Sequence, residues 1–599
     1  MGALISAPLI ALGTAVAVPS AGAAGIAGAP HHSAVRTGLS AGNPFCKRLA
    51  HRRVLASAAA YSFCFGPQIH VHASGGTPAV KTRAGLANNV DAASLSEDVS
   101  PAGVRADGQS ETSVAASGPY VVEAWNDSTS FLSACPAQMS KEEGTGFAFS
   151  SNGGKTFADL GGLPNSNCKN YIYEGDPSVS AYVAGGKTFF YISSLYDSTT
   201  GIGRSFIAMD ACEVTGAGGS AALSCGQPVM VGASTQCQRF KISKTKFSEF
   251  CSFTDKDYMS IDPANGRLYV SYSDFLLRST NGGDVEVMSV CDLGTRSGGT
   301  GPAGGTPAAP VCEHGTKLVL IAKNFLQASP YFTVAAPDPN GCELEGSYPA
   351  ADIATGNVYV GYEYNWGTNL GFAPCEGSGT PIQDVLAMSP FTCLPLAAVS
   401  PCAGPAARAS VPVVSLDGTF VPGYNRFPTN DFPRLAVSDK FGTVSMVWND
   451  TRFHAFGDIL LQSFGLNSLQ PVQSKPVLLD RPHNGGLDMF PAVRSANLDG
   501  LLDVSWYSRT SVTTADTSVL AAIGINPRST ATPANIQVTN VLSNWDNDSS
   551  LIVPNFGDYT DNAVSVTGTW PYVGSTLYVA WSDGRLGIPQ PFEAHLPAG

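Results

Sequence analysis

An acidic residue recurs at one position in a repeated phrase along this chain of 599 residues. Each phrase runs from the acid through a short apolar strand, a Gly-containing turn and a second strand that ends in an aromatic residue and often Asp. Such alternation around a turn predicts a β-hairpin, and seven copies of the phrase are present. The acids at these positions are Glu111, Asp176, Asp257, Asp431, Asp488 and Asp558, with Glu345 as the nearest counterpart in the fourth copy.

Carboxylates that are brought together can share protons, bind a cation such as Ca²⁺, or hold sugar hydroxyls. If the strands after these acids are the innermost strands of a ring, the acids gather at one mouth of a central channel. The simpler interpretation is that each Asp bonds the turn amides where its strand begins. Both interpretations stay open at this point. No cofactor is required by either, and Ca²⁺ is the one cofactor that the ring could hold.

A second recurrence places Asp two residues before Arg and two after Trp, in Trp448 to Arg452 and in Trp581 to Arg585. A carboxylate at this spacing can fix a guanidinium by charge-assisted hydrogen bonds. We favour a structural pair that locks the end of the hairpin. Histidine is scarce, because only four of the nine lie beyond residue 105 and each stands alone, so a Ser-His-Asp triad or a histidine metal site is not expected.

The composition favours an all-β chain. Charged residues make up 14%, Gly and Pro together number 105, and no sustained helical periodicity appears beyond the first residues. The net charge of −13 argues against a nucleic-acid partner. No apolar run of about 20 residues interrupts the repeats, so no membrane span is expected.

The first part of the chain carries features of an export signal. Residues 1–29 are apolar and small, with Ala-Gly-Ala at 21–23, and a second candidate cleavage site is Val71-His72-Ala73. Either site predicts a secreted protein. We therefore expect residues 1–105 to be leader and spacer, and residues 106–599 to form the folded domain.

The cysteines fit an exported chain. Two of the fourteen, Cys46 and Cys64, fall in the predicted leader, and no CxxC pair is present. An even number of spaced cysteines predicts disulfides, here between sequence neighbours in the loops. The expected pairs are Cys135–Cys168, Cys212–Cys225, Cys237–Cys251, Cys291–Cys312, Cys342–Cys375 and Cys393–Cys402.

One octapeptide, Ser150 to Phe157, reads Ser-x-Asn-x-Gly-x-Thr-Phe, and a weaker copy runs from Ser279 to Val285. It resembles the Asp-box of the bacterial sialidase-like repeat family of secreted β-propellers, with Asn in place of Asp. The likeness covers roughly residues 110 to 597. It implies a β-propeller of six or seven blades, and the seven hairpins favour seven.

The resemblance also implies roles for particular residues. Exo-sialidases use three arginines for the substrate carboxylate, a Tyr nucleophile activated by Glu, and an Asp acid/base, and they carry a Phe/Tyr-Arg-Ile-Pro motif. The nearest string here, Phe432-Pro433-Arg434-Leu435, has another order. The predicted catalytic residues are Tyr559, Asp558 and Asp257. The predicted substrate-binding residues are Arg434, Arg494, Arg585, Asp176, Asp431 and Asp488, and no metal ligand is predicted.

Three functions fit these observations. Because the arginine motif is missing, we favour a secreted propeller that binds a glycan or glycoprotein without catalysis. The alternative is a glycoside hydrolase of the exo-α-sialidase type, and a third hypothesis is another activity, for instance a glycosidase that uses paired carboxylates. A monomer is expected in each case.

Overall fold

The structure of the chain is a computed structural model that describes part of its residues. The residues that it describes are 43, 46–47, 50, 64, 81–82, 85–86, 88–95, 108–127, 144–199, 202–277, 283–293, 310–338, 342–366, 382–414, 421–425, 429–454, 456–480, 486–495, 499–547, 554–565 and 576–598.

Strands dominate the described residues, as the composition predicts. Three short 3-10 turns, Gly218–Ser220, Phe391–Cys393 and Trp545–Asn547, are the other elements bounded among these residues. In chain order the strands are β1 (Lys81–Thr82), β2 (Val90–Asp91), β3 (Gln109–Ser117), β4 (Tyr120–Asp127), β5 (Thr145–Ser150), β6 (Ala158–Gly162), β7 (Tyr171–Tyr173), β8 (Ser178–Ala184), β9 (Lys187–Ser198), β10 (Phe206–Thr215), β11 (Ala222–Cys225), β12 (Val229–Ala233), β13 (Gln236–Lys241), β14 (Phe247–Cys251), β15 (Phe253–Asp262), β16 (Arg267–Phe275), β17 (Asp284–Asp292), β18 (Val311–Glu313), β19 (Val319–Ala322), β20 (Phe325–Gln327), β21 (Phe332–Ala335), β22 (Glu343–Ala351), β23 (Val358–Trp366), β24 (Gln383–Ser389), β25 (Ala407–Pro412), β26 (Arg434–Ser438), β27 (Thr443–Asp450), β28 (Asp458–Gly465), β29 (Val477–Leu478), β30 (Leu487–Ser495), β31 (Leu502–Arg509), β32 (Asp516–Ile525), β33 (Ile536–Gln537), β34 (Val541–Asn544), β35 (Asp561–Val564), β36 (Thr576–Asp583) and β37 (Gln590–Pro597).

The seven predicted hairpins are confirmed as antiparallel pairs, and each begins a separate sheet. We number these sheets one to seven by their first strands, which are β3, β8, β15, β22, β26, β30 and β35. A further sheet, in the order β14-β13-β20-β19, is called the accessory sheet. The hairpins form where the sequence has two strand-like segments on either side of a Gly-containing turn, as the repeated phrase predicts.

The first strands of the seven sheets contact one another in a closed cycle. β3 contacts β8, β8 contacts β15, and the succession continues through β22, β26, β30 and β35, which contacts β3 again. The apolar side chains follow the same cycle, because separate buried clusters lie between the first and second sheets, the second and third, and so on to the seventh and first. The hydrophobic effect therefore holds each sheet against its two neighbours.

The seventh sheet combines a strand from the early part of the chain with strands from its last part. β2 pairs with β37, so this sheet has the order β2-β37-β36-β35. β1 pairs with β34 in the sixth sheet. The strands β1 and β2 lie before residue 106, within the segment that we predicted to be leader and spacer. The candidate cleavage sites at 21–23 and 71–73 lie outside the described residues.

Disulfides tie neighbouring strands and loops together. Four predicted bonds are confirmed, Cys212–Cys225, Cys237–Cys251, Cys291–Cys312 and Cys393–Cys402. Cys168 and Cys342 are also disulfide-bonded, whereas their predicted partners at 135 and 375 lie outside the described residues. A further bond, Cys46–Cys64, lies in the predicted leader, and its two cysteines pack into the buried cluster between the second and third sheets.

The octapeptide that carries the family resemblance forms the turn between β5 and β6. Asn152 accepts a hydrogen bond from the Thr156 amide at 3.1 Å and donates to its hydroxyl at 2.8 Å, and Ser150 Oγ accepts from the Gly154 amide at 3.0 Å. Gly153 and Gly154 have φ of 74° and 77°, which explains the glycine pair. Most of the weaker copy, at 279–282, lies outside the described residues. Across the part of the chain that is described, no helix has the length and apolar character needed to cross a membrane.

Candidate functional site

The first strands carry β-bulges that turn particular side chains away from the regular pleat. In β3, β15, β22 and β30 the register shifts by an extra residue, and Glu111, Lys256, Gly346 and Phe490 lie in these shifts with positive φ. Asp176, just before β8, has φ 53°. A bulge re-aims the side chain of its extra residue, so the sheets can direct selected residues toward the centre of the cycle.

Three carboxyl groups meet at the Lys256 ammonium. Its Nζ lies 2.9 Å from Asp176 Oδ2, 3.0 Å from Asp558 Oδ1 and 3.5 Å from Glu111 Oε1. All four side chains are at most 1% exposed. They come from the third, second, seventh and first sheets. We call these four residues the central cluster, and each of its carboxyl groups reaches the same ammonium.

Asn126, the residue after Trp125 in the first Trp-Asn-Asp string, fixes two of these carboxyl groups. Its amide donates to Glu111 Oε2 at 2.9 Å and to Asp176 Oδ1 at 3.4 Å, and its oxygen accepts from the Asp176 amide at 2.5 Å. The same role recurs in the fifth sheet, where Asn449 donates to Asp431 and accepts from the Phe490 amide at 3.1 Å. An Asn at this position therefore joins the beginnings of two successive first strands.

The electrostatics of the central cluster differ between its members. Burial raises the pKa of Glu111 well above its ordinary value, and the charges of Asp176 and Asp558 raise it further. Burial alone would lower the pKa of Lys256, but the surrounding carboxylates reverse this effect and raise it well above the ordinary value. The site thus holds a charged ammonium beside a Glu111 carboxyl that keeps its proton to a higher pH than usual.

A layer of tyrosines and arginines adjoins the central cluster. The Tyr559 ring lies 5.5 Å from Lys256 Nζ and 5.3 Å from the Tyr258 ring. The guanidinium of Arg434 lies 4.2 Å from the Tyr258 ring and 5.4 Å from the Tyr559 ring, and it donates to the Tyr258 hydroxyl at 2.5 Å. Arg434 is buried, and its Nη1 has no hydrogen-bond partner among the described residues.

Tyr348 and Arg494 extend this layer toward an open cavity. Arg494 donates to the Tyr348 hydroxyl and pairs with Asp561 at 2.9 Å. Both residues line a cavity of about 210 Å³ to which all seven first strands contribute, mostly through small side chains such as Ala115 and Ser260. The cavity lies further along the first strands than the central cluster, and it meets the tyrosine and arginine layer at Tyr348 and Arg494.

Several predicted site residues come together here. Asp176 and Asp558 belong to the central cluster, Tyr559 and Arg434 lie beside it, and Arg494 lines the cavity. Asp257 follows Lys256 in the bulge and accepts a hydrogen bond from Ser193. Burial raises the pKa of Asp257 well above its ordinary value, against the effect of the Ser193 hydrogen bond. The roles of these residues remain predictions.

The other predicted residues are held by partners of their own. Arg585 pairs with Asp583 at 2.7 Å and donates to Asn540 at 2.9 Å, so the structure does not bring it into the central cluster. Asp488 accepts from Trp506 Nε1 at 3.0 Å in the sixth sheet. Asp431 accepts from Asn449 in the fifth sheet, so these two acids contact residues of their own sheets.

The aromatic-x-Asp-x-Arg strings form the structural pairs that we favoured. Asp450 binds Arg452 at 2.6 Å and accepts from Trp448 Nε1 at 3.1 Å. In the seventh sheet, Asp583 binds Arg585 and accepts from Trp581 Nε1 at 2.8 Å. Each Asp thus joins the Trp and the Arg of its own string, and this arrangement fixes the end of the second strand.

No metal centre emerges among the described residues. The one group of metal-ligand type whose ligand atoms lie within 4.8 Å of one another is Cys237, Glu249 and Cys251. Its two cysteines are joined in a disulfide, so they offer no thiolate. Binding of Ca²⁺ therefore stays a prediction.

Sequence reasoning missed Lys256, Tyr258, Tyr348 and Asp561, and it placed Glu111 in the ring of acids without a role. The signal for Lys256 was present, because Lys256-Asp257-Tyr258 stands where the first sheet has Glu111-Thr112-Ser113. Alignment by strand register places Lys256 at the position of Glu111, Gly346 and Phe490, but the register depends on bulges that the sequence does not show.

Comparisons with known proteins return distant likenesses of fold. No protein-family model matches the chain, and no curated protein matches it. It is similar to the α-L-arabinofuranosidase Arb93A of Fusarium graminearum at 10% identity and a TM-score of 0.38, covering 86% of this chain and 98% of that chain. An α-L-arabinanase of Penicillium chrysogenum gives 11% identity, a TM-score of 0.37 and the same coverage of 86% and 98%. The Trypanosoma rangeli sialidase gives 11% identity and a TM-score of 0.33, covering 74% of this chain and 58% of that chain. Scores this low assign no function, so the site is interpreted from its own geometry.

Proposed function

We propose that the seven sheets are the blades of a seven-bladed β-propeller and that the protein acts on glycans at the centre of the ring. The closed cycle of contacts between the first strands supports seven blades. So does the seventh sheet, which joins β2 to β37 and thereby links early and late parts of the chain, as ring closure requires.

The reaction that we propose is glycoside hydrolysis. One observation carries it, namely that Glu111 and Asp558 reach one ammonium at the centre of the ring beside Tyr559 and Arg434. Hydrolysis of a glycosidic bond uses two carboxyl groups in different protonation states, one as a general acid and one as a base or nucleophile. Burial and neighbouring charge favour that difference here, because they raise the pKa of Glu111 well above its ordinary value.

In this proposal Glu111 donates its proton to the leaving oxygen of the glycosidic bond. Asp558 is the second carboxyl group of the pair and acts as base or nucleophile. Its Oδ1 lies 3.0 Å from Lys256 Nζ. Lys256 balances the charge that remains on the carboxylates after the proton has moved. Asn126 orients Glu111 through the bond at 2.9 Å, so that the carboxyl group keeps one position during the reaction.

The neighbouring layer suits a sugar. Aromatic rings offer flat apolar faces to a pyranose or furanose ring, and a few polar donors fix its orientation. Tyr258, Tyr348 and Tyr559 provide the rings, and Arg434 provides an unpartnered donor. A sugar with a carboxylate would bind Arg434 best, and this keeps the exo-α-sialidase type as the finer form of the proposal. Tyr559 would then be the nucleophile, Asp558 the base that takes its proton, and Glu111 still the acid that protonates the leaving oxygen.

The test is hydrolysis of a panel of fluorogenic glycosides, including an α-sialoside and an α-L-arabinofuranoside, by the folded chain. Glu111→Gln should lower kcat about 10²–10⁴-fold, as expected when a general acid is removed. The matched control is Glu123→Gln, since Glu123 is as deeply buried but lies between the first and seventh sheets, outside the cluster. Tyr559→Phe separates the two mechanisms, because only the sialidase type needs the phenolic oxygen.

Two results would count against hydrolysis. One is a folded chain that cleaves no member of the panel, and the other is turnover that Glu111→Gln and Glu123→Gln reduce equally. A loss in Tyr559→Phe as large as that in Glu111→Gln would move the nucleophile from Asp558 to Tyr559 and leave the proposed class of enzyme unchanged.

A second candidate is glycan binding without catalysis. It is favoured because the hydrogen-bonding capacity of the Lys256 ammonium can be used up within the protein. Its ammonium has three carboxyl partners, so every N–H of the ammonium can be used within the protein. A glycan array would then detect binding that Glu111→Gln leaves intact and that Arg434→Ala weakens.

We further propose that the protein is exported. Five disulfides join described cysteines, and bonds of this kind persist in oxidising compartments. Cell fractionation that finds the oxidised chain outside the cell would support export, and a reduced cytoplasmic chain would contradict it.

A further inference from the structure

The accessory sheet stands outside the cycle of first strands. It joins the hairpin β13–β14 to the hairpin β19–β20, which comes from a later part of the chain. Cys237 and Cys251 pair across β13 and β14 and are linked by a disulfide, and they form a small buried cluster with Leu326 of β20. The sheet is therefore fastened at this end by its own small core.

Both hairpins of the accessory sheet point the same way. β13 and β20 are antiparallel, with Gln238 opposite Phe325, and the Arg239 amide donates to the Asn324 carbonyl at 2.8 Å. β13 runs toward its turn at 242–246, whereas β20 leaves its turn at 323–324. The two turns consequently lie at the same end of the sheet, and we call them the paired tips.

Large apolar side chains are exposed at and beside the paired tips. Ile242 and Phe247 are 48% and 51% exposed, and Leu320 and Ile321 are 61% and 55% exposed. With Val319, these make five of the twelve large apolar residues that are exposed in the described part of the chain. Such a concentration on one small sheet marks a surface for contact, because single exposed apolar residues elsewhere are ordinary.

Lysines surround the same apolar residues. Lys241, Lys244, Lys246 and Lys323 are exposed at the paired tips, and Lys317 precedes β19. These are five of the fourteen lysines of a chain whose net charge is −13. Residues 236–251 and 311–329 contain two acidic side chains, Glu249 and Glu313, and Glu249 is paired with Arg239 at 3.0 Å. The tips are thus a basic and apolar patch on an acidic protein.

The charges decide which partner fits. β19 is an edge strand and could pair with β19 of a second copy, but an antiparallel pairing centred on Leu320 would place Lys317 opposite Lys323 of that copy. Like charges directly opposite each other destabilise such a pair. An anionic partner meets no such repulsion, and a flat anionic surface contacts both tips at once because they point the same way.

We propose that the paired tips dock on an anionic lipid surface. Ile242 and Phe247 enter the boundary between headgroups and acyl chains, while Lys241, Lys244, Lys246 and Lys323 lie at the level of the lipid phosphates. Apolar insertion and attraction to anionic headgroups together give reversible binding of a protein that does not span the membrane. The central cluster takes no part, so this surface acts independently of the proposed hydrolysis.

The experiment is sedimentation of the full chain with vesicles, either phosphatidylcholine alone or phosphatidylcholine with an equimolar amount of phosphatidylglycerol. We expect binding to the anionic vesicles and little binding to the neutral ones. The double variant Lys244→Glu/Lys246→Glu should weaken binding by about tenfold or more, since two attractive charges become repulsive. Ile242→Ser/Phe247→Ser should also weaken it, whereas the control Phe453→Ser/Lys475→Glu, exposed on the fifth sheet, should not.

Three outcomes of the vesicle experiment would overturn the proposal. They are equal binding to neutral and anionic vesicles, no binding to either, and binding that the two tip variants leave unchanged. A soluble poly-glutamate that binds as tightly as the vesicles, with no loss in Ile242→Ser/Phe247→Ser, would also overturn it by showing a site for acidic peptides. Matching thermal unfolding of all variants would confirm that folding is intact, as expected for exposed positions.

Discussion

Replacing Lys256 with methionine removes the one cation that three buried carboxyl groups share. Methionine keeps the length of the side chain, so the change is chiefly one of charge. The carboxylates of Asp176 and Asp558 lose partners at 2.9 and 3.0 Å, and neither can be hydrated in place. Breaking a buried pair by removing one partner costs about 3–5 kcal/mol, and we expect a loss of that size at about pH 7.

The loss should depend on pH, and its sign follows from the protonation of the carboxyl groups. Without Lys256 the pKa of Glu111 in the folded state rises further above that in the unfolded chain, because the cation that lowers it is gone. The stability of the variant is then retained below about pH 4, where the carboxyl groups are protonated in the unfolded chain as well. It is lost as the pH rises through the pKa of the folded state. Lys256 itself has a raised pKa in the wild type and remains charged throughout this range. The difference in the free energy of unfolding between variant and wild type should therefore be small at about pH 4 and large at about pH 7.

The assay is urea unfolding followed by tryptophan fluorescence at both pH values. The triple variant Lys256→Met/Asp176→Asn/Asp558→Asn is the matched control, because it replaces the ion pairs by neutral groups and should recover much of the lost stability. A loss below about 1 kcal/mol at pH 7, or an equal loss at both pH values, would refute the reasoning, since it would mean that water screens the charges of the cluster.

Three further predictions concern the rest of the fold. A chain that begins at residue 106 lacks β1, β2 and the bonds of residues 88–94 to the first, sixth and seventh sheets. Its free energy of unfolding should be about 2–6 kcal/mol lower than that of a chain from residue 80, measured by urea titration. Asn126→Ala should cost about 2–4 kcal/mol, because it leaves Glu111 and Asp176 short of a buried donor, and thermal unfolding against Asn170→Ala, an exposed position, would measure it. Stability should fall as the pH rises from about 4 to about 7, since burial raises the pKa of Asp274 to about 6 and that of Glu286 to about 7, and the shift at Asp274 alone is worth about 3 kcal/mol. Urea midpoints that stay unchanged from about pH 4 to about pH 8 would contradict this.

The hairpins and several disulfides could be predicted because both depend on contacts that are close in sequence. Each hairpin follows from alternation around a Gly turn, and Cys212 lies directly opposite Cys225, as Cys291 lies opposite Cys312, on paired neighbouring strands. The accessory sheet could not be predicted in this way. Its two hairpins are separated along the chain by most of the third sheet, and no local pattern shows which edges will pair.

The central cluster was predicted only in part, and a single structural feature explains why. The acids were chosen by residue type, which selected Asp257 and passed over Lys256. A bulge sets two residues of one strand against one of its partner, so it decides which of two neighbouring side chains faces the centre. In β15 it puts Lys256 toward the carboxyl groups and Asp257 toward Ser193. The sequence contains both residues but not the position of the bulge.

The backbone at these bulges argues that the charges are kept for a reason other than folding. In the fourth sheet the same position is Gly346 with φ 71°, a conformation that glycine adopts freely. Glu111, Asp176 and Lys256 hold φ of 53–56°, where a residue with a side chain costs of the order of 1–3 kcal/mol. Glycine could take each of these three positions with less strain and without burying a charge. A chain that places three charged residues in strained positions, all reaching one another at the centre of the ring, has the arrangement expected of a functional site and not of a turn.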